Sequence, residues 1–101
     1  MIGTYKVITL CGSTKFKEDF FKVQKELTLQ GNIVLSLGVF TQSDDEKLSE
    51  EIIEMLSDIH RHKIDMADEI YVINKNNYIG NSTMSEIKYA EAQGKVINYM
   101  E

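Results

Sequence analysis

Four short runs of β-branched and aliphatic residues are separated by longer stretches whose apolar residues recur every three or four positions. This alternation restricts the fold more than any other feature of the chain. The runs are Tyr5 to Cys11 (YKVITLC), Asn32 to Leu37 (NIVLSL), Ile70 to Asn74 (IYVIN) and Lys95 to Met100 (KVINYM). The first is largely apolar without strict alternation, as expected of a strand covered on both faces. After the first run, Phe16, Phe20, Val23 and Leu27 mark one helical face, and Gly31 supplies the stop. Ser43-Asp44-Asp45-Glu46 has the form of a capping box and predicts the start of a second helix. Leu48, Ile52, Leu56, Ile59 and either the stem of Lys63 or Ile64 would continue it inward to about Met66. A third, short helix follows Ser82-Thr83, carries Ile87 and Ala90, and ends at Gly94.

The order β-α-β-α-β-α-β with short links calls for a parallel sheet with right-handed crossovers. The predicted fold is α/β: a small doubly wound, Rossmann- or flavodoxin-like three-layer domain over residues 1–101, its four-stranded parallel sheet ordered 2-1-3-4. In such a sheet ligands bind beside the carboxyl ends of the first and third strands. The loops selected by that rule, Gly12-Ser13-Thr14 and Asn74 to Thr83, are also the richest in small and polar residues.

Composition narrows the function classes. Sixteen acidic residues against 11 basic ones, a formal charge of -5, give no electrostatic footprint for a nucleic-acid backbone. The near-apolar stretch Ile33 to Phe40 is far shorter than the ~20 residues of a membrane-spanning helix, and the first residues do not read as a secretory leader. One cysteine, Cys11, forms no internal disulfide and fits a reducing cytoplasm, and no CxxC or His/Cys spacing offers a zinc framework.

Gly12-Ser13-Thr14 lets the backbone pass close to a ligand and presents amides and hydroxyls at a helix start, a phosphate or carboxylate site. It lacks the GxGxxG and GxxxxGK[ST] spacings, and an ordinary turn with Ser13 or Thr14 as N-cap explains it as well. Glu86 is the sharper candidate: on the first turn of the third helix the dipole would keep its carboxylate ionised, able to attack an anomeric carbon. The competing explanation is that Thr83-x-x-Glu86 is itself a capping box. Asp58, His60, His62, Asp65, Asp68 and Glu69 cluster late in the second helix and just beyond it. A solvated face explains most of them, Asp68 at a strand entrance excepted, and Asp58 and His62 alone are too few for a metal. Cys11 reads as a small core residue. Phe16 and Tyr78 offer rings for stacking or plain packing.

The segment Ile79-Gly80-Asn81-Ser82-Thr83-Met84-Ser85-Glu86-Ile87-Lys88-Tyr89-Ala90, followed by Gly94-Lys95-Val96-Ile97, resembles the nucleoside 2-deoxyribosyltransferase-like superfamily. Leu10-Cys11-Gly12-Ser13-Thr14 and Ala67-Asp68-Glu69-Ile70-Tyr71-Val72 are similar to that superfamily's glycine loop and strand entrance, so the likeness covers nearly the whole chain in order. It implies that Glu86 is the nucleophile and that Gly12, Ser13, Thr14, Ser82 and Thr83 hold the sugar or its 5′-substituent. Phe16 would wall the base, with Asn74, Gly80 and Asn81 as further substrate contacts. The family has an aspartate where this chain has Gly80 and an acidic residue where it has Asn74 and Lys75, which leaves Asp68 or Asp58 as the acid. The expected reaction is N-glycosidic cleavage or transfer on a nucleoside or its 5′-monophosphate, without metal or redox cofactor. The alternative is a non-catalytic module binding a nucleotide or ADP-ribose-like ligand. A shallow site, and Ile53, Met55 and Ile59 beside the inward set, imply a homodimer or higher homo-oligomer.

Overall fold

The computed structural model describes residues 3–101, so Met1 and Ile2, part of the stretch read for a leader, lie outside it. Strand β1, Val7–Gly12, sits inside the sheet. It pairs in parallel with β2, Ile33–Leu35, on one side and with β3, Glu69–Ile73, on the other, while β4, Val96–Tyr99, extends the sheet beyond β3. The order is β2-β1-β3-β4, the doubly wound arrangement expected from the element sequence.

Helix α1, Lys17–Leu29, follows a 3-10 turn at Thr14–Phe16. Helix α2 is Glu50–Met66 and α3 is Asn81–Ala92. Side-chain alternation along the strands divides the core. Ile8, Leu10 and Ile73 pack with Phe20, Val23 and Phe40 on the α1 side. Cys11, Ile70 and Val72 pack with Ile64, Ile87 and Ala90 on the side of α2 and α3. Because β1 and β3 are buried on both faces, they carry apolar residues at successive positions. Among the described residues, no helix is long and apolar enough to cross a membrane.

Two expectations about α2 need correction. Its N-cap is Ser49, whose Oγ accepts from the Ile52 amide at 3.2 Å, and not Ser43. Residues 41–45 form turns, with Asp45 at φ +51°. Their side chains are spent on the start of α1: Ser43 Oγ donates to the Thr14 carbonyl at 3.0 Å, and Asp44 pairs with Lys17 Nζ at 2.7 Å. The capping signal is present locally and overridden by tertiary contacts.

The stripe of α2 facing the sheet is also displaced. Ile52 and Ile59 are each 41% exposed, whereas His60 and Ile64 are buried. A polar residue inside the inward stripe makes apolar periodicity select a neighbouring stripe. Thr9 Oγ1, buried on β1, donates to the Lys63 carbonyl at 2.8 Å and fixes this rotation of the helix.

Candidate active site

Gly12 ends β1 with φ +156°, and a Cβ there would lie 2.8 Å from the Ile73 carbonyl oxygen and 3.2 Å from Phe20 Cζ. Only glycine lets β1 and β3 run this close as the chain turns away. The exit of β1 opens into a solvent-accessible cavity of about 190 Å³ between α2 and α3. Gly12 and Thr14 line it from the first loop, and Leu37, Val39 and Thr41 from the β2–α2 segment. Ile53, Leu56, Ser57, Ile59, His60 and Lys63 come from α2, and Ser82 and Glu86 from α3. The volume is below the ~300–1,000 Å³ of sites that enclose a drug-sized ligand, and suits one ring with its substituents.

Glu86 is not a helix cap. Helix α3 starts two residues before Thr83, has Gly80 as its N-cap and makes no side-chain capping bond. The Met84 amide donates to the Gly80 carbonyl at 2.9 Å, so the capping-box alternative falls. The Glu86 side chain, 17% exposed, instead turns toward Cys11 and His60. Cys11 Sγ lies 3.4 Å from His60 Nε2, and Glu86 Oε1 lies 3.7 Å from that same nitrogen. Two contacts between helices bracket this group. Arg61 Nη2 donates to Ser85 Oγ at 3.0 Å, its guanidinium lying 5.0 Å from the Tyr89 ring centre, and Tyr89 OH donates to Asp65 at 2.7 Å.

Burial sets the protonation states. It pushes the Glu86 carboxyl up to about 7, partly offset by the Arg61 charge and a hydrogen bond from Cys11. The expectation that the helix dipole alone would hold Glu86 fully ionised is thereby corrected: desolvation outweighs it. Burial lowers His60 to about 4, with the Lys63 charge adding to the effect, so the contact with Glu86 joins a neutral imidazole to a carboxyl group and is no ion pair at neutral pH. Burial raises the Cys11 thiol well above its ordinary value, helped by the Glu86 charge. A nucleophile-base-orienter triad needs its two outer members on opposite ring nitrogens. Here both meet Nε2 while Nδ1 is buried without a partner, so the three side chains are not a cysteine triad.

No known protein-family model matches the chain, and no curated protein is similar to it.

Of the residues expected at the site, Gly12, Thr14, Ser82 and Glu86 reach the cavity. Ser13 Oγ accepts from the Lys15 amide and caps the 3-10 turn. Phe16 packs edge-on to Tyr78, ring centres 5.9 Å apart, and lines a different surface groove with Lys15 and Lys75. Asn74, expected to contact substrate, is buried with its amide committed to the chain end. Its Nδ2 donates to the Glu101 carbonyl at 3.1 Å, and its Oδ1 accepts from the Glu101 amide at 2.8 Å. Gly80 and Asn81 form the start of α3, and Thr83 is buried within it.

Asp68, expected as the assisting acid, stands where β3 begins, at the amino ends of the strands, roughly 15 Å of strand from the cavity at their carboxyl ends. Its Oδ2 accepts from the Val7 amide at 2.8 Å and ties β3 to the start of β1. Asp58, the other candidate acid, pairs with His62 on an exposed face. His60, read with its charged neighbours in sequence as part of a solvated face, is instead buried. Its signal is its place between Leu56 and Ile64, each four residues away on one helical stripe.

Proposed function

We propose that the protein cleaves the N-glycosidic bond of a nucleoside or nucleoside 5′-monophosphate, with Glu86 as nucleophile. The observation that carries this is the position of the Glu86 carboxyl: at the wall of a ring-sized cavity, free of any capping role. The likeness of residues 79–90 to the nucleoside 2-deoxyribosyltransferase-like superfamily supports the same assignment and membership in that group. In its ionised form Glu86 attacks C1′, the base leaves with the bonding electrons and takes up a proton, and an ester joins sugar to enzyme. Thr14, Thr41 and Ser82 offer hydroxyls to the sugar or its 5′-substituent.

Water resolves the ester. The cavity opens to solvent, so water can reach the ester once the base has left, which supports hydrolysis. Among the described residues no carboxylate other than Glu86 lines the cavity, so the departing base draws its proton from solvent or from a hydroxyl. That same lack of a partner carboxylate is what favours the second reading, a module that binds a nucleotide or ADP-ribose-like ligand without turnover.

The half-exposed isoleucines on the cavity rim, Ile53 and Ile59, support a homo-oligomer in which a second copy covers the open side. The unpaired thiol suits a reducing cytoplasm.

Incubation with a panel of nucleosides and their monophosphates, followed by chromatography for free base, tests the proposal. Release that disappears in Glu86→Gln while ligand binding persists supports the enzyme. Tight binding with no base released from any panel member supports the module.

A further inference from the structure

Cys11, His60 and Glu86 come from β1, α2 and α3, and their thiol, imidazole and carboxyl donor atoms all lie within 4.8 Å of one another. With metal–ligand bonds of about 2.3 Å to sulfur and about 2.0–2.2 Å to nitrogen and oxygen, a tetrahedral zinc site places S and N about 3.5 Å apart and N and O about 3.4 Å apart. The distances here are 3.4 Å for Cys11 Sγ to His60 Nε2 and 3.7 Å for His60 Nε2 to Glu86 Oε1. Two of the three pairs thus already stand within a few tenths of an ångström of the spacing that one ion would impose, and the third, Cys11 with Glu86, lies within 4.8 Å.

We infer that Cys11 Sγ, His60 Nε2 and the Glu86 carboxylate form a binding site for a tetrahedral, thiolate-accepting divalent cation of the zinc type, its fourth position directed at the cavity.

Three further observations favour it. The His60 ring is buried and the polar contacts it makes run from Nε2 into this cluster, so the nitrogen that would ligate is the one already aimed there. His60 and Glu86 line the cavity, which gives an ion a route in and leaves room for a water or ligand oxygen as fourth donor. The neighbouring cations are engaged elsewhere: Lys63 Nζ donates to the Ser36 carbonyl at 2.6 Å, and Arg61 to Ser85.

One thiolate, one imidazole and one carboxylate suit zinc or cobalt(II) and not magnesium or calcium, which prefer oxygen donors. On binding, Cys11 gives up its Sγ proton to solvent and Glu86 any proton it holds. Two ligand charges then neutralise the ion's two, so the buried cluster becomes electroneutral. Coordination also draws electron density from the Glu86 carboxylate and weakens it as a nucleophile, so metal binding should compete with the attack on C1′ proposed above.

Cobalt(II) titration of the chelator-treated protein tests the site through absorption alone, independently of any turnover. We expect one equivalent to give a thiolate-to-cobalt charge-transfer band and the intense visible bands of tetrahedral cobalt, both abolished by zinc. Cys11 is the only cysteine, so the charge-transfer band in the wild-type protein assigns the sulfur ligand even if a Cys11 variant does not fold. His60→Ala and Glu86→Gln should each weaken binding by about tenfold or more. His62→Ala, which alters the exposed Asp58–His62 pair, should leave it unchanged. Absence of the charge-transfer band at stoichiometric cobalt, or a spectrum indifferent to His60→Ala and Glu86→Gln, overturns the assignment.

Discussion

Cys11 Sγ lies 3.4 Å from His60 Nε2 although 49 residues separate them, and Glu86 approaches that same nitrogen from the opposite helix. Because both partners share Nε2, the imidazole cannot pass a proton from the thiol while a carboxylate steadies its other side. Burial also holds the thiol protonated. Cys11→Ala is therefore expected to lower base release by less than about tenfold, and the native thiol should resist iodoacetamide until the protein is unfolded. Loss of turnover on alkylation of folded protein would contradict this.

The same cluster predicts an unusual pH dependence of stability in chelator-treated protein. The folded state retains a Glu86 proton that the unfolded chain releases above about 4.5, so this group's contribution is complete below pH 4.5 and is lost as pH rises through about 7. His60 has the opposite sign: the unfolded chain binds a proton below about 6.5 that the folded state refuses down to about 4, so its contribution is lost as pH falls. Between pH 4.5 and 6.5 the two slopes cancel. Relative to wild type, Glu86→Gln should gain stability with rising pH in that window, and His60→Gln should lose it, each at up to about 1.4 kcal/mol per pH unit. Denaturant unfolding at several pH values reads both slopes, and parallel curves for the three proteins would refute the protonation states described.

Gly12→Ala places a Cβ 2.8 Å from the Ile73 carbonyl oxygen. The backbone of β3 cannot yield without disturbing its pairing with β1, and the +156° φ adds strain. A loss of about 2 kcal/mol or more in unfolding free energy is expected. Unchanged stability in chemical denaturation would show that β1 and β3 separate more easily than the register suggests.

Asp68 and Asn74 should behave as structural residues. Asp68→Ala removes the acceptor of the Val7 amide, and Asn74→Ala frees the chain end from β3. Each should cost on the order of 1 kcal/mol. Asp68→Ala should leave kcat for base release at the wild-type value, and a fall of tenfold or more at intact fold would return Asp68 to the site.

Much of the architecture was legible because it depends on local period and chain order. Strands buried on both faces, such as Val7–Gly12 and Glu69–Ile73, carry consecutive apolar residues, and the crossovers leave few ways to arrange them. The start of α2 was misread because Ser43 and Asp44 carry a valid capping signal that Thr14 and Lys17 claim. At the site, Gly12, Thr14, Ser82 and Glu86 could be located since the topology fixes which strand ends converge. His60 shares a stripe with Leu56 and Ile64, but its charged neighbours read as a solvated face, and the rotation of α2 that buries it beside Cys11 is fixed by a tertiary contact, Thr9 with the Lys63 carbonyl. Asp68 enters as a substitute for the carboxylates that the family resemblance leads one to expect, whereas the direction of β3 puts it at the amino ends of the strands, away from the cavity.

The pH profile of kcat/KM for base release, recorded with a chelator present and with the substrate that the panel selects, tests the central claim most directly. An attacking carboxylate must be ionised, so the rate should rise with pH through a midpoint near 7, the value to which burial moves Glu86. A profile that falls through that range would make Glu86 a proton donor, and one that stays flat while base is released would remove it from the reaction.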